Sequence, residues 1–592
     1  MAYLRPGDPK RRLRAFKIFI VALALVFGGR LVDLQIVQAE AINAKSYSNR
    51  AVSRVLPSLR GDITDGTGAV LAHTVFKYDI NAAPHIVAPF NREVNGQKVL
   101  ISVEQAATEL AALVGQTQPE VFAKLSGTAK YSQVAKAVEA SVYRQIKELD
   151  IPWIYYDPRP ARVYPNGAVA GGILGFLDPD GNPLEGIEVA QNACLAGKDG
   201  EETFEKGVDG IKIPSSAITT KAAVPGKTIK LNINADLQYF AQQILTANVA
   251  KLRADWGTAV VIEVKTGKVL VAADAPSYDP NEPGKSSVEN RGSRVFRSAF
   301  EPGSTMKMVT AAISIDQGKA TPESQFVAPY GMTIPGTGYR VTDSHMHPDE
   351  KLTTAGILRE SSNTGAMKVG NLVPWQTRYS YLKKFGIGSM PGTGFPGESA
   401  GLLNSTTVWE NDRIKRYVSN FGQGISVSPI QSAMMYQAVA NQGVRLQPQL
   451  IEGCVDANGK VTKVTKDKAP VRVVSAETAK STLDILEKVV EQGGIGKTAA
   501  VPGYRVGGKT GTAQIADPNT GRYGNLFAIS FIGVAPIEDP QFVVAVTAYK
   551  SRTVSNSLGA TPIFKAIMSQ VLRTYRVPPS TTKSANIATE WK

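Results

Sequence analysis

Residues 301–307 read Glu301-Pro302-Gly303-Ser304-Thr305-Met306-Lys307. A proline and a glycine close one element and prepare the entrance of a helix. A helix opening at Ser304 carries Lys307 three residues on, one turn away on the same face. A serine hydroxyl is a poor nucleophile until a base takes its proton. A lysine amine becomes that base once burial or a neighbouring positive charge lowers its pKa. Alone, Ser-x-x-Lys is a cheap pattern, because a capping serine beside a solvated lysine gives the same letters. Its surroundings decide the reading.

Upstream, the character of the chain changes at Val224-Pro-Gly-Lys227. Residues 228–233 alternate like a strand, and 236–245 read as a helix with Asp236 near its cap. Residues 256–263 and 268–273 form a hairpin through Lys265-Thr-Gly267, and a proline-rich loop at 275–281 leads on toward Ser304. Downstream, Ser361-Ser362-Asn363 follows a helical run at 354–360. A Ser-x-Asn between helices presents a hydroxyl that relays a proton and an amide that holds a substrate amide or positions the lysine. Its bland counterpart is a turn or an N-cap.

The third piece is Gly507-Gly-Lys-Thr-Gly-Thr-Ala-Gln514. Residues 509–512 are expected as an edge strand whose small residues admit another backbone. Lys509 supplies a fixed charge, Thr510 and Thr512 supply hydroxyls, and the strand supplies main-chain donors for an oxyanion. Gly503 with Gly508-Lys509-Thr510 formally completes a phosphate-loop pattern. No parallel-sheet nucleotide domain accompanies it, so that reading is set aside. Ser-x-x-Lys, Ser-x-Asn and Lys-Thr-Gly in this order form the signature of serine acyl-transferases acting on D-alanyl peptides and β-lactams.

The chain has 592 residues, 43% of them hydrophobic and 20% charged, so two or more folded domains are expected and a disordered chain is excluded. A net charge of +15, spread along the chain except at its start, reads as a solvated basic surface or as attraction to anionic lipid or a polyanionic polymer. There is no nucleic-acid recognition motif, and nucleic acid is not expected as a partner. Two cysteines, Cys194 and Cys454, make neither a disulfide framework nor a zinc spacing. Free buried thiols are the expectation, with a single bridge left open. His345-Met346-His347 has no further ligand cluster beside it and reads as loop polarity, so neither metal nor cofactor is expected.

Arg5, Lys10, Arg11, Arg12, Arg14 and Lys17 crowd the start, followed by an uncharged run at 18–29 and a continuing apolar pattern to Val37. This reads as a basic tail at 1–15 and a transmembrane anchor at 16–37, with Arg30 snorkelling at the far interface. Basic residues before the span put the N-terminus in the cytoplasm and the rest outside. A cleaved signal peptide with its site at Ala39-Glu40-Ala41 is the rival, disfavoured because that site lies well beyond the apolar core. Residues 40–55 read as a polar helical stalk. Arg60-Gly-Asp-Ile-Thr-Asp65 with Gly66 and Gly68 reads as a turn between strands. Helical patterns follow at 103–113, 120–125 and 138–149. Arg162-Val-Tyr-Pro165 starts a strand-and-turn run, and Gly171, Gly172, Gly175 and Gly186-Ile-Glu188 mark short irregular elements without a catalytic constellation.

With these residues on the page, the chain resembles the class B penicillin-binding proteins, the membrane-anchored peptidoglycan D,D-transpeptidases, over most of residues 15–570. Beyond the three motifs, Arg60-Gly-x-Ile-x-Asp65, Arg162-x-Tyr-Pro165 and Gly186-Ile-Glu188 look like pedestal motifs. Phe385-Gly-Ile-Gly388, Pro396-Gly-Glu398, Phe421-Gly-Gln-Gly-Ile-Ser-Val-Ser-Pro429, Pro502-Gly-Tyr504 and Phe531-Ile-Gly-Val-Ala-Pro536 look like transpeptidase-domain segments. Departures fall at 201–214 and in an insertion at 315–345. The resemblance implies an α+β fold: a pedestal of dimerisation type at 38–224, a transpeptidase domain with an antiparallel sheet flanked by helices at 225–578, and a polar tail at 579–592.

It also implies roles. Ser304 attacks the penultimate D-Ala carbonyl, Lys307 accepts the serine proton, Ser361 shuttles a proton to the leaving amine and Asn363 positions the donor peptide. Lys509, Thr510, Gly511 and Thr512 form the substrate-binding strand, and the backbone N–H groups of Ser304 and Thr512 form the oxyanion hole. Nothing upstream resembles a glycosyltransferase. The implied partners are therefore stem peptides and β-lactams, the membrane, a multi-spanning glycosyltransferase polymerase met through the anchor, and other divisome proteins. The division type is the leading reading. Its alternatives are an elongation-type transpeptidase, a β-lactam hydrolase or carboxypeptidase, and a non-catalytic scaffold.

Overall fold

Asp8 opens the first helix, Pro9–Val32, by accepting a hydrogen bond from Lys10 N at 2.9 Å, with proline in the first turn where a missing N–H costs nothing. The structure, a computed structural model, describes residues 8–207, 216–516, 523–554 and 556–592. Through a π-helical turn at Asp33–Val37 the apolar helix runs over 29 residues, Pro9–Val37, long and apolar enough to cross a membrane. It begins seven residues before the expected anchor, so Lys10, Arg11, Arg12, Arg14 and Lys17 ride on its opening turns. The beginning of the basic tail, Arg5 included, lies outside the described residues. Arg30 pairs with Asp33 one turn on, so the two charges that interrupt the apolar run offset one another.

This helix belongs to the smaller of two compact units, Met1–Ser58 with Gly197–Pro225. A second helix, Ala39–Arg50, is the expected stalk, but from Ala51 the chain is a strand. Ala51–Leu56 pairs antiparallel with Gly200–Glu205, which pairs with Ile218–Lys221. Cross-strand partners explain the switch: Val52 faces Phe204, Ser53 Oγ lies 3.1 Å from Thr203 Oγ1, and Arg54 Nε is 2.7 Å from Glu202 Oε2. Of the departure noted at 201–214, residues 208–214 lie outside the described residues.

The larger unit comprises Leu59–Ala196 and Gly226–Lys592. In its first part, strands Ile63–Thr64 and Val70–Ala82 flank the turn expected at Gly66 and Gly68. Helices Val103–Val114, Gln118–Leu125 and Ala140–Glu148 bury Leu110, Val121 and Ile146 against Ile80, Val134 and Trp153. Arg162 stands near the end of strand Ile154–Val163, not at the start of one.

A mixed sheet joins the two parts. Thr228–Leu231 runs parallel to Ile63–Thr64 on one side and antiparallel to Ile451–Val455 on the other. That register overturns the expectation of free thiols, because Cys194 and Cys454 form a disulfide with Cα atoms 6.1 Å apart. Cys454 faces Ile229 across the sheet, and Cys194 O accepts from Lys227 N at 2.9 Å, so the strand between them brings together residues 260 positions apart.

The second part of the larger unit is built on a five-stranded antiparallel sheet. Helix α1 (Ala235–Leu252) begins at Asn234, whose side chain accepts from Leu237 N at 3.0 Å. Strands β1 (Trp256–Glu263) and β2 (Val269–Ala275) form the expected hairpin. Helix α2 (Lys307–Asp316) follows the turn that holds Ser304; β3 (Gln325–Ala328) and β4 (Glu350–Thr353) form an antiparallel pair around a small hairpin of Gly331–Thr333 and Arg340–Thr342, and helices α3 (Thr354–Glu360) and α4 (Asn363–Gly370) bracket Ser361. Helix α5 (Pro429–Ala440) is buried along its length, and α6 (Ala476–Val490) precedes β5 (Gly507–Ala516), β6 (Tyr523–Ala535), β7 (Phe542–Ser551) and helix α7 (Thr561–Thr574).

The strand order is β2-β1-β7-β6-β5. Alternation along the strands makes three layers. Ala259, Val261, Phe531, Val544 and Val546 face α1 and α7, packing on Leu245, Phe564 and Met568. Val260, Ile262, Ile532 and Val543 face the opposite core, with Met306, Val309 and Tyr436.

Candidate active site

Ser304 lies in a single 3-10 turn, Gly303–Met306, that runs directly into α2. Gly303 holds φ +55°, and a Cβ there would also stand 3.0 Å from Ala513 Cβ. The turn is pinned from three sides. Gly303 N donates to Gly422 O at 3.1 Å, Thr305 Oγ1 to Pro302 O at 2.8 Å, and Tyr436 Oη to Thr305 O at 2.8 Å. Ser304 itself is half-buried.

The Lys-Thr-Gly segment is β5, the edge of the antiparallel sheet and not a loop before a helix, which removes the phosphate-loop reading. A Cβ on Gly511 would lie 2.2 Å from Ser530 Oγ and 2.9 Å from Thr305 Cγ2, so the missing side chain lets this strand lie against the serine turn.

Three segments meet at Ser361. It caps the end of α3 in the left-handed region, φ +63°, an uncommon conformation for a residue with a Cβ and one that gathers at functional sites. Lys307 Nζ donates to Ser361 O and lies 3.2 Å from Ser361 Oγ. Lys509 Nζ lies 2.9 Å from the same Oγ and 3.0 Å from Thr510 Oγ1. Among the described residues Lys307 thus points to Ser361 and not to Ser304. Bonds of this kind often tighten only with substrate in place. The Thr510 hydroxyl is buried against Lys509, whereas Thr512 is half-exposed on the strand.

Both lysines are fully buried. Burial pushes the Lys307 pKa down to about 7, against a smaller opposing pull from the Asp343 carboxylate. Lys509 is driven well below the ordinary lysine range by burial and then by the Lys307 charge, with Glu360 opposing. At neutral pH the pair therefore holds an amine close to its own pKa beside a hydroxyl that can both accept and donate.

Asn363 opens α4, with its amide Nδ2 donating to Thr342 O at 2.9 Å. The residue that organises this end was not foreseen. Asp343, buried, accepts from Ser362 Oγ at 2.7 Å, from Thr364 N at 3.2 Å and from Asn363 N. A carboxylate at the first N–H groups of a helix is favourably placed. His347 Nε2 lies 3.1 Å from the same carboxylate, and its Nδ1 lies 2.7 Å from Pro348 O. His347 thus works as a hydrogen-bonding neighbour of Asp343. Asp343 sits in the stretch that reads as an insertion, and nothing in its local sequence distinguishes it from any other loop acid.

The family model described as the penicillin binding protein transpeptidase domain matches residues 257–569, and that of the penicillin-binding protein dimerisation domain matches residues 55–182. Penicillin-binding protein PbpB of Mycolicibacterium smegmatis is 33% identical, with 98% of this chain and 92% of that protein aligned. Peptidoglycan D,D-transpeptidase FtsI of Escherichia coli is 30% identical over 95% of this chain and 91% of its own. Among solved structures, penicillin binding protein 3 of Mycobacterium tuberculosis complexed with aztreonam superposes with a TM-score of 0.69 at 27% identity, covering 91% of this chain and 100% of that one. The chain, with Ser-x-x-Lys in a turn, Ser-x-Asn between two helices and Lys-Thr-Gly on an edge strand, belongs to the penicillin-binding protein transpeptidase family.

Proposed function

We propose that this chain cross-links peptidoglycan by serine acyl transfer and that β-lactams acylate the same serine. The observation that carries the reading is the Ser361 hydroxyl between two buried lysines drawn from segments 148 and 54 positions away. Ser304 Oγ attacks the carbonyl of the penultimate D-Ala of a stem peptide while Lys307, neutral, takes its proton. The oxyanion rests on the backbone N–H groups of Ser304 and Thr512. The C–N bond to the terminal D-Ala breaks, and its nitrogen receives the proton through Ser361. An acceptor amine then attacks the Ser304 ester, an amide forms and the serine regains its proton. Lys509 with Thr510 holds the substrate carboxylate, Gly511 keeps the strand close, Thr512 faces the substrate and Asn363 holds the donor peptide amide.

In this reading residues 38–224 are the pedestal, 225–578 the catalytic domain and 579–592 the tail. The helix at Pro9–Val37 anchors the chain with its N-terminus cytoplasmic, as the basic residues before the span support. The site of action is the division septum, beside a multi-spanning glycosyltransferase polymerase and other divisome proteins. Kinship with PbpB and FtsI supports that choice. A fluorescently tagged chain is expected in septal rings, and lateral patches would favour elongation. The test of the chemistry is a donor pentapeptide supplied with an acceptor amine. The expected product is the cross-linked dimer with one D-Ala released per turnover; release without a dimer, together with sustained penicillin turnover, would mean a hydrolase.

A further inference from the structure

The closing residues read as a polar tail in the sequence, but in the structure they run along the catalytic half as a strap. Tyr504 Oη donates to Val577 O at 2.7 Å, Ser580 N to Gly503 O at 2.9 Å and Arg505 Nη1 to Thr582 Oγ1 at 2.8 Å. Lys488 Nζ then holds Ser584 Oγ at 3.1 Å, and Ile587 packs on the main core. From Ala588 onward the chain lies along β4 through one isolated antiparallel bridge. Leu352 and Glu590 pair antiparallel, Thr353 N donates to Thr589 O at 3.0 Å, and Trp591 N to Lys351 O at 3.2 Å. Trp591 Nε1 reaches Phe326 O at 3.3 Å, and the Lys351 ammonium sits 5.0 Å over the indole ring.

This contact falls on the helix that ends at Ser361. Thr353 caps α3, accepting from Gly356 N at 3.1 Å, while its hydroxyl donates to Ala588 O at 2.6 Å. Arg359, on the last turn, donates from Nη1 to Thr589 Oγ1 at 3.1 Å. A Cβ on Gly356 would lie 1.8 Å from Thr589 O, so the helix can lie against the strap only through a glycine. Helix α3 spans seven residues, Thr354–Glu360. A helix that short has little stability of its own and takes its position from what it packs on.

We propose that residues 584–591 are a positioning strap for acyl transfer: by clamping both ends of α3 they hold Ser361 between Lys307 and Lys509. The inference rests on the role given to Ser361 above. The strap touches no substrate and acts through α3.

The test measures the second-order rate of labelling by a fluorescent penicillin, using the full chain in detergent. It compares the parent, a chain stopped after Lys583, and Gly356→Ala in both backgrounds. Stopping the chain is expected to slow labelling by about tenfold or more, approaching the ~10²-fold that an ångström of misplacement can cause. The midpoint of the pH–rate profile should move upward as water reaches Lys307. A synthetic peptide covering residues 584–592 should restore both. Gly356→Ala should slow the parent comparably and add little to the stopped chain, since the clash is already gone. That comparison within the full-length chain stands even where the stopped chain fails to fold. Full-rate labelling with an unmoved pH profile in the stopped chain, or in Gly356→Ala, would overturn the strap. Failure of the parent itself to be labelled would overturn the transpeptidase reading and the strap's role with it.

Discussion

Glu188 in the first part of the larger unit and the lysine pair in the catalytic half both bury charge, and they do so in opposite ways. In the first part, Glu188 is fully buried with a cation on each oxygen: Arg60 Nε at 2.6 Å from Oε2 and Arg162 Nε at 2.7 Å from Oε1. Arg60 also donates to Asn192 Oδ1 at 2.6 Å and Glu188 O at 2.8 Å, Arg162 to Gly61 O at 2.8 Å, and Tyr164 Oη to Glu188 Oε1 at 3.2 Å. In the catalytic half, Lys307 and Lys509 are as deeply buried, yet they share a neutral hydroxyl in place of a carboxylate. The first arrangement gives a buried carboxylate two cationic partners and locks three distant segments together. The second leaves charge uncompensated, which lowers the amine pKa and so makes a base. Burial alone does not tell structure from chemistry; what the buried charge is given as a partner does.

Substitution at each centre should separate them. Lys307→Met is expected to cut acylation by ~10²–10⁴-fold, the usual contribution of a general base, without lowering the melting temperature at neutral pH. Rate and melting curve on the same preparation check both. The sign follows from linkage. Lys307 has a folded pKa of about 7 against an ordinary 10.5. Below about 7 the amine is charged in both states and the folded chain carries the whole cost of burial. Between about 7 and 10.5 the unfolded chain binds the extra proton, so stability rises with pH by on the order of a few kcal/mol, and that rise should shrink in Lys307→Met. Acylation should climb as pH passes through about 7.

Glu188→Ala should behave in the opposite way, losing ~3–5 kcal/mol of stability because two arginines are left buried without their carboxylate. What remains folded should be labelled by penicillin at the parent rate. Denaturant melts set beside labelling curves test the contrast, and equal stability losses at the two centres would break it. Cys194→Ser should cost about 2–4 kcal/mol, the typical range for loss of a disulfide, again with little effect on labelling of the folded fraction.

How much of this was legible in the sequence depended on range. The β1–β2 hairpin, α1, the serine turn and the β5 strand were readable because their signals are local: alternation, a capping residue, Pro-Gly, a run of small residues. The meeting of Lys307, Ser361 and Lys509 could only be read through the order of three motifs. Asp343 was missed because its value comes from the hairpin of Gly331–Thr333 and Arg340–Thr342, which delivers it to the start of α4. The cysteine pair was missed because its register is set by a third strand between the partners. Val52 and Arg54 read as part of a helical stalk because their strand partners lie about 150 residues on. The strap at 584–591 was missed because polar residues that satisfy a neighbour's backbone look the same in sequence as polar residues in solvent.

The central claim is that Ser304 is the acylated nucleophile of this three-segment site. The most direct measurement is mass spectrometry of the full chain after benzylpenicillin, with proteolytic mapping of the adduct and a Ser304→Ala control. One adduct per chain on the peptide containing Ser304, absent from Ser304→Ala, is the predicted result. An adduct on another peptide, or labelling that persists in Ser304→Ala, would contradict it.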